Sequence, residues 1–239
     1  MTTHALKHTT AHGRAARIVL AQEHVVWLVG GMALGFAMPF LFADKLEINR
    51  DAFYGIYGMG VIGYITAWAL TTNQELGPTL RRRRKLASLL TAVASVLLVV
   101  IVYRTEDAMS HPDGFEYLAA LAWRGLFYGA VDGLFLSVFP ILAVFAAFGG
   151  TRLRERWTGT IAIGAVALMA SVLMTVVYHA GYSDFRSEKL RKPVSGDLIW
   201  SAPTLLTLNP VGAPVAHAAM HTAAVVHSYE TDTFLPPHN

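Results

Sequence analysis

The sequence predicts an all-α integral membrane protein with six transmembrane helices, the last of them broken by Asn-Pro and Pro near its middle. Of the 239 residues, 54% are hydrophobic and only 15% are charged, with a mean hydropathy of +0.44, whereas soluble domains average about 25% charged residues. The apolar runs reach or exceed the roughly 20 residues that cross a hydrocarbon core of about 30 Å. Cysteine is absent, which excludes disulfides, thiolate metal ligands and a cysteine nucleophile.

Six apolar segments follow one another in a single predicted transmembrane domain, residues 25–228. A polar and basic leader, residues 1–24, precedes them, and a short tail, residues 229–239, follows. The fourth segment is longer than an upright span, so its first turns are expected to lie in the interface or the helix to tilt. The predicted spans are residues 25–43, 53–72, 86–103, 117–149, 160–180 and 198–228.

The sixth segment contains Asn209-Pro210 and Pro214, and proline removes an amide donor and disfavours helix at the residue before it. Two interpretations stay open. Asn209 and neighbouring carbonyl groups lie in unwound backbone at mid-membrane and bind a cofactor or ion, as in discontinuous transporter helices. Alternatively, the helix begins at Pro210 and residues 197–209 form an outer re-entrant or interfacial loop.

Loop charges predict the orientation. Residues 81–85 are all Arg or Lys, and Arg152, Arg154 and Arg156 precede the fifth span, whereas the loop at residues 105–116 has four acidic residues and no Lys or Arg. Because Lys- and Arg-rich short loops stay cytoplasmic, we expect a plasma-membrane protein with both termini in the cytoplasm. The loop at residues 182–197 is discordant, because it is assigned outside yet carries four basic residues.

The formal net charge of +3 comes mainly from these clustered arginines. Such clusters next to membrane helices indicate contact with anionic lipid headgroups at the cytoplasmic face. The expected partners are therefore the lipid bilayer and these headgroups, and no nucleic acid. Whether the chain forms a homo-oligomer or joins a larger membrane complex stays open.

In the fourth span, Arg124, Tyr128 and Asp132 are four residues apart and share one helix face. A charge near the bilayer centre costs at least about 2.5–3.5 kcal/mol on insertion scales, so each such residue is expected to face a partner or water. In the catalytic interpretation, Asp132 is a proton carrier, ion ligand or general base, and Arg124 binds an anionic group or keeps Asp132 ionised. In the structural interpretation, the two form a buried ion pair.

In the sixth span, His217 and His221 are one helical turn apart and project from the same side. Such a pair can bind one divalent metal ion, with zinc, iron and manganese as candidates, but Ala218 replaces the glutamate of the H-E-x-x-H zinc motif. Proton or ion handling and structural hydrogen bonding are the alternatives. His179, at the outer end of the fifth span, is expected to close this site as a cofactor-binding residue or to lie in the polar interface.

At 1.5 Å per residue, Asp132 lies about 15 Å along its helix, and His217 and His221 lie about 10 and 16 Å along theirs. The three side chains can therefore meet if the fourth and sixth spans are neighbours. The first functional hypothesis is a membrane-embedded metal- or cofactor-dependent enzyme that acts on a lipid-like or small substrate. The alternatives are an ion- or proton-coupled transporter or permease and, ranked last, a b-type haem protein that pairs His217 or His221 with another deep histidine.

Overall fold

The structure is a computed structural model that describes residues 3–186, 188–231 and 233–236, without the side chains of residues 3–20 and 76. Most side chains of the predicted leader, and residues 237–239 of the predicted tail, thus lie outside the described residues. All regular elements within the described ranges are helical. Five helices are long and apolar enough to cross a membrane: Ala21–Lys45, Arg50–Thr71, Arg84–Thr105, Gly114–Ala147 and Trp157–Ala180.

The first four helices are α1, Thr3–Met38, with a π-helical continuation at Pro39–Lys45, then α2, Arg50–Thr71, α3, Leu76–Arg81, and α4, Arg84–Thr105. The next three form one rod, which we call the α5–α7 rod: α5, Gly114–Ala120, a π-helical segment at Leu121–Tyr128, α6, Gly129–Gly133, a second π-helical segment at Leu134–Val138, and α7, Phe139–Ala147. The last four are α8, Trp157–Ala180, α9, Arg191–Trp200, α10, Ala202–Thr207, and α11, Gly212–His227.

The α5–α7 rod is the central helix of the bundle. In its most apolar stretch 78% of the residues are buried, against 28–33% in the other four long helices. Those four therefore present most of their apolar side chains outward, which is the arrangement expected when lipid is the surrounding solvent. The rod is placed where a polar side chain can be kept away from lipid.

The bundle has two chemically different ends. The basic end holds residues 81–85 and residues 152–156, and the acidic end holds the loop at residues 106–113. Asp44, at the end of the first span, accepts a hydrogen bond from the Ser183 amide at 3.1 Å at the acidic end. His24, at the start of that span, accepts one from the Trp68 indole at 3.2 Å near the basic end.

The sixth predicted span, residues 198–228, is two antiparallel segments in the structure. α9 begins at the acidic end, where Lys192 Nζ lies 3.5 Å from Glu106 Oε1, and α10 follows it with one interruption at Ser201. α10 ends at the basic end, where Arg83 Nη1 donates a hydrogen bond to the Leu206 carbonyl at 2.9 Å. Together these two helices cross the whole bundle.

A turn after α10 reverses the chain. Leu208 has a left-handed backbone with φ of 56°, which non-glycine residues adopt rarely and typically at turns, and Pro210 follows within the turn. α11 then runs from the basic end to the acidic end, where the His227 carbonyl accepts a hydrogen bond from the Met109 amide at 2.8 Å.

Because the chain reverses direction after α10, the residues that follow α11 lie at the acidic end of the bundle. Thr231 Oγ1 donates to Glu106 Oε2 at 2.7 Å, and Arg50 Nη1 lies 3.0 Å from Glu230 Oε2, so both contacts lie at the acidic end. The described residues after α11 thus lie at the end of the bundle opposite to the basic loops. α9 includes Arg191, Lys192 and Asp197, so its sequence does not indicate an apolar segment.

Candidate metal centre

His217 and His221 lie on α11 with both side chains buried, each residue 2% exposed. One helical turn separates them, and their rings stack with centroids 4.8 Å apart and planes 9° from parallel. Asp132 of α6, also 2% exposed, faces them, with Oδ2 3.4 Å from His217 Nε2. One donor atom from each of the three side chains lies within 4.8 Å of the other two. The structure thus brings together the three residues that the helix depths predicted.

α11 and the α5–α7 rod run antiparallel. The depths calculated from the sequence treat both helices as running in the same direction. Gly125, Gly129 and Gly133 form a stripe along the rod, because residues four apart share a helix face. A Cβ added at Gly129 would lie 2.7 Å from Ala218 Cα, and one at Gly133 would lie 2.8 Å from Pro214 Cα. Such contacts are too short for any side chain, so the glycines allow the close backbone approach that membrane helices use to associate.

A second hydrogen bond orients Asp132. Tyr57 of α2, fully buried, donates its hydroxyl to Asp132 Oδ1 at 2.6 Å, which leaves Oδ2 directed toward His217. The two π-helical segments lie immediately before and after α6, and π-helical turns occur frequently at functional sites because they shift the register of side chains.

Three imidazole nitrogens of the pair have no hydrogen-bond partner among the described residues. They are Nδ1 of His217 and both ring nitrogens of His221, and all three are buried. The backbone of Phe234 lies close to the His221 ring but makes no hydrogen bond of normal geometry with it. A buried polar atom without a partner costs roughly 1–3 kcal/mol, so each one requires an explanation, of which a bound ion is one. Neutral imidazole nitrogens are also the most common metal ligands in proteins.

The cluster lines a cavity of about 170 Å³. Lys192 and Thr233 line the same cavity, which therefore extends toward the acidic end, and Phe234 of the described tail contributes to its wall. The rest of the lining is mainly apolar and includes Leu98, Ile101, Pro193 and Met220. A small or slender molecule could reach the buried donors by this route.

His179 of α8 lines this cavity but is not one of the three clustered donors. Its Nδ1 lies 2.8 Å from the Thr175 carbonyl oxygen, and a carbonyl can only accept, so Nδ1 carries the hydrogen. Nε2 of the neutral ring is then the acceptor nitrogen. The structure therefore places His179 beside the cavity and outside the group of three clustered donors.

Arg124 lies elsewhere than the catalytic interpretation of the sequence assumed. Its Nε and Nη2 donate to the two carboxylate oxygens of Asp51 at 2.9 and 2.8 Å, and its guanidinium lies over the Tyr229 ring, 4.9 Å from the centroid. This two-bond pairing ties α2 to the rod near the acidic end. Arg124 thus pairs with Asp51 and not with Asp132.

Asn209 is also remote from the cluster. It lies in the turn at the basic end, where Nδ2 donates to the carbonyls of Leu80 and Arg82 at 2.9 and 3.2 Å. Its Oδ1 accepts the Val211 amide at 3.0 Å. These bonds attach the α10–α11 turn to the α3–α4 turn. Asn209 therefore has a structural role at the basic end of the bundle and does not lie at mid-membrane.

Sequence reasoning missed the residues that surround the cluster. Asp197 of α9 is fully buried, and its Oδ1 accepts from Ser201 at 2.8 Å and from Ser171 at 3.0 Å. Trp200, one turn from Asp197, packs its ring against His217 with centroids 4.3 Å apart. The four-residue spacing of Asp197 and Ser201 was visible, but the nearby basic residues indicated a loop.

The contacts between tyrosines are a second unpredicted feature, although Tyr128 itself is part of the polar face predicted for the fourth span. The Tyr128 and Tyr178 hydroxyls are 2.7 Å apart, and those of Tyr178 and Tyr182 are 2.8 Å apart. Tyr128 also meets the His221 ring edge to face, with centroids 5.0 Å apart. The glycine stripe at residues 125, 129 and 133 was the available sequence signal for this helix pair, since small residues four apart mark a membrane helix interface.

Comparisons of this chain with protein-family models, with curated proteins and with solved structures gave no match. The site is therefore interpreted from its own residues.

Proposed function

We propose that this protein is a membrane-embedded, metal-dependent hydrolase in which Asp132, His217 and His221 hold one divalent metal ion. The observation that carries the proposal is the convergence of three buried donors within 4.8 Å. The unpartnered nitrogens of both histidines support it, because an ion would satisfy one nitrogen of each ring and would offset the charge of a carboxylate buried in a membrane helix.

Two imidazoles and one carboxylate form a donor set that catalytic zinc uses, with the fourth position left for water or substrate. The adjoining cavity supports an open site of this kind. Here Asp132 supplies the third ligand from a different helix. The glutamate of H-E-x-x-H is the general base of that motif, and in this site another residue, His179, has to take that role. The same donor types also suit non-haem iron, and manganese accepts carboxylate and imidazole, so the identity of the metal decides between hydrolytic and oxygen-dependent chemistry.

A metal in this position supplies a Lewis acid that polarises a carbonyl group and makes water acidic near neutral pH. Tyr57 holds the Asp132 carboxylate in one orientation, as outer partners of metal ligands do. His179 Nε2 is the free base beside the cavity: it takes a proton from the attacking water and returns it to the leaving group. Water adds to the carbonyl carbon of an ester or amide, and the bond to the alcohol or amine breaks.

The cavity size bears on the alternatives. At about 170 Å³ it is smaller than the roughly 300–1,000 Å³ of typical pockets for drug-sized ligands, so it does not favour haem b. Ion- or proton-coupled transport would use the same buried carboxylate and histidines without a tightly bound metal. It is therefore distinguished from the hydrolase by metal content.

The direct test is elemental analysis of untagged, detergent-purified protein. We expect close to one zinc per chain in the wild type and none in His217→Ala/His221→Ala, because each substitution removes a ligand. The control is His111→Ala/His227→Ala, which removes two histidines near the acidic end, outside the cluster, and should retain the metal. Absence of metal from wild-type protein after zinc reconstitution would contradict the proposal, and stoichiometric iron would contradict hydrolysis.

We further propose that α9–α10 and α11 also cross the membrane, which makes seven crossings, with the basic end in the cytoplasm and the acidic end outside. The contacts at both ends of these helices support the crossings, and the positive-inside rule supports the orientation. The plasma membrane is the proposed location. The described tail then lies outside, opposite to the side that loop charges alone predicted.

Single-cysteine variants can test this topology, because the chain has no cysteine of its own. We expect Asp107→Cys and Glu230→Cys to react with a membrane-impermeant maleimide in intact cells, and Arg152→Cys to react only after permeabilisation. All three residues are exposed, so burial does not confound the comparison. Labelling of Glu230→Cys on the same side as Arg152→Cys would contradict seven crossings.

A further inference from the structure

A second cavity lies at the basic end and shares no lining residue with the cavity at the metal centre. It has a volume of about 410 Å³ and lies between the first turns of α4 and the start of α11. We call it the basic-end groove. Ala87, Thr91 and Ser95 of α4 form one wall, and Gly212 and Val215 of α11 form the other. Small residues on both walls leave room between two helices that are otherwise packed together.

We call the end of the groove nearest residues 81–85 its head. The head is closed by the α3–α4 turn and the α10–α11 turn, which are hydrogen-bonded to each other. The side-chain amide of Asn209 donates hydrogen bonds to the carbonyls of Leu80 and Arg82, and the Arg83 side chain donates one to the Leu206 carbonyl. These bonds join the α3–α4 turn to the α10–α11 turn and therefore fix the shape of the head. The other end of the groove runs down the outward face of α4, where Ser88 and Ala92 are exposed.

The polarity of the groove changes along its length. Residues 81–85 are five consecutive cations at the head, and Arg84 lines the groove itself. Ser88, Thr91 and Ser95 add hydroxyl groups at increasing depth along α4, and Ala92 and Val215 are apolar parts of the walls. A cationic end above a lining of mixed hydroxyl and apolar groups matches a phospholipid whose phosphate lies at the membrane surface and whose ester region and upper acyl chain lie below it.

We propose that the basic-end groove binds one anionic phospholipid. Its phosphate lies at Arg84, its glycerol ester region lies beside Ser88, and an acyl chain runs along Ala92 and Val215. Clusters of four to eight Lys and Arg residues next to a membrane helix attract anionic lipids, and the groove adds a shape that a charged surface alone lacks. The site is independent of the metal centre and of the proposed hydrolysis.

The test measures binding of phosphatidylglycerol, with phosphatidylcholine as the neutral reference, to purified protein in detergent by native mass spectrometry. We expect saturable binding of one phosphatidylglycerol and at least about fivefold weaker binding by Arg84→Gln, since one basic residue near the surface contributes about that factor. The matched control is Arg152→Gln, which removes one exposed arginine at the same end of the bundle but outside the groove.

A second pair of variants separates the groove from the surface charge. Ala92→Trp fills the groove without changing any charge and should abolish the saturable binding. Leu89→Trp, on the same helix at nearly the same depth, is 62% exposed and does not line the groove, so it should bind like the wild type. Unchanged binding by Ala92→Trp, or equal binding of phosphatidylcholine, would overturn the proposal; equal losses in Arg84→Gln and Arg152→Gln would reduce it to surface attraction.

Discussion

Asp132→Asn is expected to weaken zinc binding by more than about 100-fold. The substitution keeps the size of the side chain but removes the negative charge that the metal requires from its only carboxylate donor in the cluster. Loss of an outer hydrogen-bond partner of a metal ligand typically lowers affinity by roughly 10–100-fold, and loss of a ligand should exceed that. The measurement is competition with a chromogenic zinc chelator in detergent solution.

Tyr57→Phe is expected to weaken zinc binding less than Asp132→Asn does. It removes only the 2.6 Å hydrogen bond to Asp132 Oδ1, so zinc affinity should fall by roughly 10–100-fold and remain measurable. Asp51→Asn is the matched control, because it neutralises a carboxylate of the same bundle that pairs with Arg124. If Asp132→Asn bound zinc as tightly as Asp51→Asn, Asp132 would not be a ligand.

Gly129→Leu is expected to prevent correct packing of α11 against the rod, and Gly129→Ala to destabilise it by about 1–3 kcal/mol, the usual range for overpacking. A single Cβ at this position would lie 2.7 Å from the backbone of Ala218 and 3.1 Å from His221 Cβ. Backbone cannot rotate away as a side chain can. The helices must therefore separate, and Asp132 moves away from the two histidines.

The measurements for Gly129 are the thermal unfolding midpoint in detergent and the retained zinc. Gly164→Ala on α8 is the matched control, because a Cβ there has no neighbouring atom within 4 Å. It should be neutral or slightly stabilising, since alanine favours a helix over glycine by roughly 0.5–1 kcal/mol. A Gly129→Ala variant with the unfolding midpoint and zinc content of Gly164→Ala would show that close approach of the helices is not required.

The sequence predicted the five long helices closely. Residues 53–72 and 86–103, for example, correspond to Arg50–Thr71 and Arg84–Thr105. Charged residues lie at the ends of these segments and apolar residues fill them, so the cost of placing charge in lipid sets their limits. The same reasoning does not identify α9, which carries Asp197 and two basic residues and packs against α8, α4 and α11.

The positions of the three clustered residues along their helices could be predicted from the sequence, but the partner of Arg124 could not. The spacing of His217 and His221 places both on one helix face, and an aspartate inside an apolar segment indicates a buried polar role. The partner of Arg124 was not predictable, because four-residue spacing made Asp132 the nearest acid along the helix. Asp51 comes from α2, and only the packing of α2 on the rod brings it within 2.8 Å.

The sequence by itself determined that the chain has helices long and apolar enough to cross a bilayer, that its side-chain metal ligands come from histidine and carboxylate and not from cysteine, and that these residues lie in helices. These properties follow from composition and helical period, which are local. Tertiary structure alone decided that α11 is antiparallel to the rod and that Asp132 meets His217 and His221. The physical reason is that both depend on distant contacts: the turn at residues 208–211 sets the direction of α11, and the glycine stripe sets how closely it approaches Asp132.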